Sequence, residues 1–339
     1  MQDSDIARDP IRYLRYPMLR QRTFKVRSGE LLVHVYDQPG RWMDDEPLRA
    51  LRDRLVDVAG QSMDEVPTYG VFTGERSAYE NRIVGVMTEA SSGEAVAFTA
   101  MVYLPILLDH RIEPVMHLGL TMIKRRFRGQ RLQGPLFEKL FFLPTLNQLR
   151  VRWIVTNIAA SPAGIGSVSD YFQDPYPSYH GNTERKGYHG AVAKEMLAHY
   201  RHEFGCSRSA TLDPDTFVVV GSNDPAGGGA YQFLREDPVS RYKRQECNTF
   251  CAQRLRFERG DELFQVARLN MIRGVLDIHH RRGARKRATA AARSAPTPTT
   301  ANVRGAAAPQ PAPRPAPTPT LIPTTLGTSA SGRPAHVAL

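Results

Sequence analysis

The sequence has only three cysteines, Cys206, Cys247 and Cys251, among its 339 residues. An odd number this small cannot build a disulfide framework, which predicts a reducing compartment. No run approaches the roughly 18 consecutive apolar residues that a membrane-spanning helix requires. The opening residues, MQDSDIARDP, also lack the basic segment and apolar run of a secretory signal. We therefore expect a cytoplasmic protein that neither spans a membrane nor follows the secretory route.

Acidic residues are missing from residue 281 onward, although nine Lys and Arg lie there and the whole chain carries a net charge of +11. This segment is rich in Ala, Pro and Thr and has few large apolar side chains to offset the entropy of chain ordering. We expect residues 281–339 to form a basic, disordered tail, either merely solvated or in weak contact with an anionic partner. The composition of the remaining residues predicts a basic lead-in over residues 1–30 and one domain over residues 31–280.

Apolar periodicity in this domain predicts a series of strands and helices. The first half predicts a strand at 31–36, a helix that ends near Gly60, a hairpin of strands at 82–88 and 95–107, and a strand at 114–123. A helix after residue 132 and a strand at 153–159 follow, a connection long enough to make the last two strands parallel. The second half predicts helices at 162–172, 190–204 and 261–278, a strand at 216–220, and a polar insertion at 173–188 that is typical of a lid or substrate-binding loop.

A basic turn, KRRFRGQRLQG, joins the strand at 114–123 to the following helix. Backbone N–H groups in a turn that opens a helix can hold a pyrophosphate, because they are unpaired and the helix dipole favours negative charge there. Gly129 lets such a backbone curl, and the neighbouring arginines add long-range attraction. A solvated basic turn is the alternative. The order of strand, turn, apolar helix and parallel strand favours the phosphate site.

The block LGLTMIKRRFRGQRLQGPLFEKL, residues 118–140, resembles the GNAT superfamily of N-acetyltransferases. It is similar to that family's fourth strand, its Arg-Gly-x-Gly-x-Gly/Ala pyrophosphate turn and its third helix, and the order of elements from about residue 31 to 172 also agrees. The resemblance implies an α/β fold with a mixed, mostly antiparallel sheet flanked by helices. It further implies acetyl-CoA or another acyl-CoA as co-substrate and an amine as acyl acceptor.

The resemblance also implies which residues bind the cofactor. Backbone groups of Ile123 and Lys124 would contact the pantetheine arm, and the turn would wrap the pyrophosphate. Asn157 would either bond the pantetheine arm or cap the following helix. The turn residues concerned are Arg128, Gly129, Gln130, Arg131, Leu132 and Gln133. Arg131 stands where the family usually has glycine, and Gln133 stands where it has glycine or alanine. Side chains there would crowd the phosphates, or Arg131 would pair with a phosphate oxygen.

Acyl transfer to an amine needs a group that removes a proton from the amine and a group that protonates the leaving thiolate. His117, on the predicted fourth strand, has an ordinary pKa that suits a base near neutrality, and Glu113 is the second choice. A structural role for His117 within the sheet is the alternative. The resemblance implies Tyr171 as the acid, although Val168 falls at the family's usual position, so a core tyrosine is the alternative.

Two other functions remain open on the sequence alone. The chain could be a non-catalytic GNAT-like scaffold that binds an acyl thioester or a protein partner. It could also be a platform that the basic tail and lead-in tether to nucleic acid or to a membrane. No metal site is expected: the set Cys247, Cys251, His279 and His280 has the chemical types of zinc ligands but not their usual spacing.

Overall fold

The computed structural model describes residues 3–229 and 241–271. Within these residues, eleven strands form a single mixed sheet. The strands are β1 (Gln21–Val26), β2 (Leu31–Asp37), β3 (Arg82–Glu89), β4 (Ala95–Leu108), β5 (Arg111–His117), β6 (Thr121–Ile123), β7 (Arg152–Ala159), β8 (Gln173–Tyr176), β9 (Thr211–Leu212), β10 (Val218–Val220) and β11 (Glu262–Asn270). The helices are α1 (Asp3–Arg8), α2 (Asp45–Gly60), α3 (Gln133–Leu140), α4 (Phe142–Asn147), α5 (Pro162–Tyr171), α6 (Gly187–His199) and α7 (Gln245–Arg254).

The strands follow the order β1-β2-β3-β4-β5-β7-β11-β10-β9, with β6 beside β4 and β8 beside β11. β5 and β7 are parallel, with Met116 opposite Val155, whereas every other pairing in the described sheet is antiparallel. The chain passes from β5 to β7 through α3 and α4, a crossover long enough for parallel strands. The predicted fold class, an α/β fold with a mixed, mostly antiparallel sheet flanked by helices, is confirmed.

Helices cover both faces of the sheet because side chains alternate along each strand. Ile83 of β3 packs in the apolar cluster that holds α3, and Val168 of α5 joins the same cluster. Val84, the next residue along β3, packs instead with Leu55 of α2. Phe264 of β11 packs with α6 on that second side. We call the two sides the α3 face and the α2 face.

The strand predicted at 114–123 is divided into β5 and β6 by a short irregular stretch at residues 118–120. Gly119 in this stretch lies so close to β4 that an added Cβ atom would be 2.2 Å from the Ala100 carbonyl oxygen. The Ala100 N–H donates to the Leu120 carbonyl at 2.9 Å, which fixes the approach. Only glycine therefore fits at this point of the chain.

The helix predicted at 261–278 is wrong for its described part, where residues 262–270 form β11. β11 pairs with β7 from Leu263 to Asn270, and both of its faces are buried, since Phe264 packs in one apolar cluster and Ala267 in another. Because both faces are covered, apolar residues stand at 263, 264, 266, 267 and 269 rather than at every second position, a spacing that a helix would also show. The remainder, 272–278, lies outside the described residues.

Other boundaries differ from the sequence predictions in smaller ways. The lead-in contains β1, which extends the sheet by one strand, and the insertion at 173–188 begins with β8, which pairs with β11. α6 starts at Gly187 and ends at His199, earlier than predicted. The predicted disordered tail at 281–339 lies outside the described residues. Within the described ranges, none of the helices has the length and apolar character needed to cross a lipid bilayer.

Gly119→Ala should destabilise the fold by about 2 kcal/mol or more, because the new methyl group meets a backbone carbonyl that cannot move without breaking strand pairing. Urea denaturation would measure the loss. Gly134→Ala is the matched control: its Cβ would meet nothing within 4 Å, and alanine favours a helix. Equal stability of the wild type and the Gly119 variant would contradict the close approach.

Candidate functional site

β5 and β7 pair as far as His117 and Thr156, and beyond this point they separate. The Leu118 N–H still donates to the Thr156 carbonyl at 2.8 Å. Among the described strands, β6 then pairs only with β4, while the last residues of β7 pair with β11. A wedge-shaped opening therefore lies between β6 and the end of β7. We call this opening the fork.

A cleft of about 1830 Å³ includes the fork and is lined from both faces of the sheet. On the α3 face, its wall contains the turn before α3 and the apolar side chains of Phe141 and Val168. On the α2 face, its wall contains Tyr69, Phe204 and Glu262. Two reactants can therefore approach the fork from opposite faces of the sheet.

The turn before α3 presents backbone donors to open space. The N–H groups of residues 129–134 find no acceptor among the described residues. Gly129 has a φ angle of +77°, and a Cβ added to Gly129 or Gly134 would meet nothing within 4 Å. Leu132 is buried in the core and Arg27 donates hydrogen bonds to Gln130, so both ends of the turn are held. A row of unpaired donors held in this way has the geometry that an anion requires.

Arg131 adopts the left-handed conformation that glycine would take, with a φ angle of +58°. The curl of the turn is therefore kept, at a cost of about 1–2 kcal/mol for a residue with a Cβ atom. The Arg131 side chain is exposed and Gln133 is half-buried, and both line the cleft. A long cationic side chain thus stands beside the free N–H groups, where it can pair with an anion.

The other basic side chains of the turn are largely neutralised. Lys124 is buried, and its Nζ lies 2.7 Å from an Asp57 oxygen and 2.8 Å from a Glu94 oxygen. Arg125 pairs with Asp64 at 2.5 Å, and Arg126 pairs with the same Glu94. These side chains stabilise the turn, so its backbone donors are the groups best placed to bind a phosphate.

Backbone groups predicted to contact the pantetheine arm are partly occupied within the protein. The Lys124 N–H donates to the Val96 carbonyl at 3.0 Å, and the Ile123 carbonyl accepts from Arg128 Nε at 3.4 Å. Arg128 Nη2 also donates to the Ser62 carbonyl at 2.5 Å, which ties the turn to the loop after α2. Ile123 and Arg128 line the cleft, whereas Lys124 does not.

Asn157 lies at the end of β7, lines the cleft and is buried. Its Nδ2 atom donates to Gln265 Oε1 at 3.2 Å on the neighbouring strand. The helix that follows begins as predicted, because the Ser161 hydroxyl accepts from the Gly164 N–H at 3.2 Å. This cap fixes the far wall of the fork.

His117 lies at the point where the fork opens, and only 2% of its surface is exposed. Its Nδ1 shares a hydrogen bond of 3.0 Å with the Thr156 hydroxyl, and its ring lies 4.2 Å from the Phe204 ring. Burial, with a smaller effect of the nearby Arg82 charge, lowers the pKa of His117 to about 3. The imidazole is therefore neutral at physiological pH and a weak base.

The two other catalytic candidates lie away from the centre of the cleft. Glu113 pairs with Arg150 at 2.6 Å and is not among the residues that line the cleft. Tyr171 lies at the mouth with 60% of its surface exposed, and its hydroxyl is 3.5 Å from Lys243 Nζ. The structure thus brings His117 to the fork, leaves Tyr171 at its entrance and separates Glu113 from both.

Glu262 is the residue that sequence reasoning missed. It begins β11 on the α2 face, lines the cleft and is only 7% exposed. Its carboxylate accepts a 2.6 Å hydrogen bond from the Ser222 hydroxyl. Burial raises the pKa of Glu262 to about 7, although hydrogen bonds from Ser222 and Asn223 oppose the change. The assignment of residues 261–278 to a helix hid this position, since only the strand places Glu262 beside the fork.

Charged and polar groups surround Glu262 on the α2 face. Arg82 and Glu203 form a buried ion pair there, and Tyr69 lines the same wall. Burial raises the pKa of Tyr69, and the Glu262 charge adds to this effect. The tyrosine is therefore protonated at neutral pH, so the wall holds a carboxyl group that titrates near neutrality and a hydroxyl that can donate a proton.

The described residues contain no cluster of three or more metal-ligating side chains. Cys247 and Cys251, from the weighed zinc set, are buried in an apolar cluster between α5 and α7. His279 and His280 lie outside the described residues.

No protein-family model and no curated protein sequence matches the chain. Parts of it are similar to the N-myristoyltransferase of Saccharomyces cerevisiae with bound myristoyl-CoA, at 11% identity over 41% of this chain and 32% of that chain, with a TM-score of 0.27. A second structure of the yeast enzyme with myristoyl-CoA matches at 13% identity over 38% and 29%, also with a TM-score of 0.27. A GNAT family acetyltransferase of Staphylococcus aureus matches at 10% identity over 35% and 81%, with a TM-score of 0.20. The chain thus spans about a third of the length of the yeast structures.

Glu262→Gln should remove a pH dependence of stability. The folded protein ionises this carboxyl near pH 7 and the unfolded chain near 4.5, so the wild type loses stability relative to the variant as the pH rises between these values. Between about pH 5 and about pH 8, the free energy of unfolding of the wild type should fall by about 2–3 kcal/mol relative to that of the variant. Urea denaturation of both proteins at about pH 5 and about pH 8 measures it. If the free energies of unfolding of the two proteins changed in parallel with pH, the pKa of Glu262 would not be raised by burial.

Proposed function

We propose that this chain is an acyl-CoA-dependent N-acyltransferase that moves an acetyl or other acyl group to an amine. The observation that carries the proposal is the turn at residues 129–134, whose unpaired N–H groups border open space beside the fork. A pyrophosphate on this turn would place the rest of a CoA thioester along the α3 face. The thioester carbonyl would then enter the fork, where the amine can reach it from the α2 face.

The proposed chemistry uses groups of the α2 face. Glu262 takes a proton from the ammonium form of the acceptor, and the free amine attacks the thioester carbonyl carbon. The carbon–sulfur bond breaks, the leaving thiolate takes a proton from Tyr69, and the attacking nitrogen loses its extra proton to the Tyr69 oxygen as the amide forms. A carboxyl with a pKa of about 7 suits this task better than His117, whose pKa of about 3 makes proton capture unfavourable. His117 would instead position the acceptor through its neutral ring.

Acetyl-CoA and free CoA should bind to the wild type in calorimetry, and Gly129→Asp should weaken binding by about tenfold or more, because the carboxylate would stand against the pyrophosphate. Gly93→Asp is the matched control. Gly93 also has a positive φ angle, +72° against +77°, and open space around its Cβ position, but it lies in the hairpin between β3 and β4. Absence of wild-type binding at millimolar ligand, or equal affinity of the Gly129 variant, would rule out the turn as the site.

Glu262→Gln should lower kcat/KM for the amine by about 10²–10⁴-fold while the affinity for acyl-CoA stays unchanged. The wild-type rate should fall below about pH 7 as Glu262 becomes protonated, and the variant should lose this acidic limb. Release of free thiol from acetyl-CoA with a panel of primary amines measures both effects. Glu113→Gln is the control, since Glu113 pairs with Arg150 and is not among the residues that line the cleft. An unchanged pH profile in the Glu262 variant would assign the base elsewhere.

The same assay separates the enzyme from a non-catalytic scaffold. A scaffold would bind CoA through the turn but release no thiol with any amine. The scaffold alternative rests on Arg131 and Gln133, because they replace small residues of the GNAT pattern that the turn resembles.

A further inference from the structure

Exposed apolar side chains of the described residues concentrate on one surface. The two most exposed of these large apolar side chains are Met18, at 94%, and Leu149, at 71%. The others on this surface are Tyr16, Phe142, Leu146 and Val151, and only Tyr171 among the large exposed apolar residues of the described ranges lies elsewhere. We call these six residues the α4 patch, because they belong to α4, to the turn after it and to the lead-in.

Side-chain hydrogen bonds hold the lead-in against the end of α4. Asn147 accepts from the Leu19 N–H at 2.9 Å and donates to the Leu19 carbonyl at 3.0 Å. Gln148 binds the backbone of Arg15 in the same two-way manner, at 3.0 and 3.2 Å. These paired bonds join the residues that flank Tyr16 and Met18 to the residues that lie between Leu146 and Leu149, so both segments contribute to the same side of the protein.

Basic side chains border the α4 patch. Arg15, Arg20, Arg22 and Arg152 are exposed, and none of them pairs with a carboxylate within the described residues. Arg22 and Lys139 lie over the Phe24 ring at 5.9 and 5.7 Å, and that ring meets Phe142 at 5.7 Å. Arginine and lysine side chains therefore lie next to the apolar side chains of the patch.

We infer that the α4 patch docks the protein on an anionic phospholipid bilayer. Exposed apolar and aromatic side chains gain free energy in the interfacial layer, while unpaired arginines gain from anionic headgroups. A nucleic acid would satisfy the arginines but leave Met18, Leu146 and Leu149 in water. The combination of both kinds of group on one surface therefore favours a bilayer.

The α4 patch also meets the cleft. Phe24, Phe142 and Lys139 line the cleft as well as this surface. A bilayer on the patch would therefore lie beside one entrance of the cleft, on the α3 face. This docking does not depend on acyl transfer, and it would hold for a catalytic protein and for a scaffold alike.

Co-sedimentation of the full chain with vesicles tests the inference. The vesicles are phosphatidylcholine with about a third phosphatidylglycerol, a composition that presents an anionic surface. The wild type should bind, and the double variant Met18→Ser, Leu149→Ser should bind about tenfold more weakly. Tyr171→Ser, which removes an exposed apolar side chain outside the patch, should bind like the wild type. Both altered patch residues are exposed, so circular dichroism should show an unchanged fold.

Three outcomes would overturn the inference. Equal binding of the wild type and the double variant would assign vesicle binding to other basic segments, such as residues 281–339, which every variant keeps. Equal binding to pure phosphatidylcholine would show that the arginines recognise nothing anionic. An oligomer that the double variant dissociates in lipid-free solution would make the patch a protein interface.

Discussion

The separation of β6 from the end of β7 is the constraint on which the site depends. A strand that kept pairing with β7 would close the sheet and leave no path between its faces. Gly119 prevents this, since its approach to the Ala100 carbonyl draws the chain onto β4 just where the parallel pairing ends at His117. The unpaired edges that result are costly in an isolated sheet, because buried backbone groups without partners lose hydrogen bonding to water. Such an opening is retained where another molecule can supply the missing partners.

The turn before α3 also leaves backbone groups without hydrogen-bond partners among the described residues. Its lysine and two of its arginines are neutralised by Asp57, Asp64 and Glu94, which makes the turn rigid and leaves little free charge. Binding strength must then come from backbone donors held in place, a preorganised arrangement that costs little entropy when an anion arrives. Arg131 preserves the geometry although it is not glycine, so the departure from the family pattern changes the side chain presented to a ligand and not the path of the backbone.

Sequence reasoning reached the fold class, the parallel pair and the turn, because each leaves a local signal in apolar runs, crossover length and glycine position. It did not reach Glu262. That residue becomes part of the cleft only when β11 pairs with β7, a long-range contact with no local signature, and the apolar spacing of β11 fits a helix as well as a strand buried on both faces. His117 illustrates the opposite case: its position at the fork follows from the strand pattern, whereas its low pKa follows from burial against Phe204, which no pattern reveals.

Glu262 is also where stability and function oppose each other. A carboxyl group buried without a basic partner among the described residues disfavours its own ionisation, and a glutamine or an apolar residue would avoid that cost. The neighbouring basic side chain, Arg82, is already committed to Glu203 and cannot relieve it. A group that is costly to the fold, titrates near neutrality and lines the wall of a cleft is better explained by proton transfer than by packing. In the proposed reaction, the α2 face would therefore supply the chemistry, while the α3 face, with its open turn, would bind the cofactor.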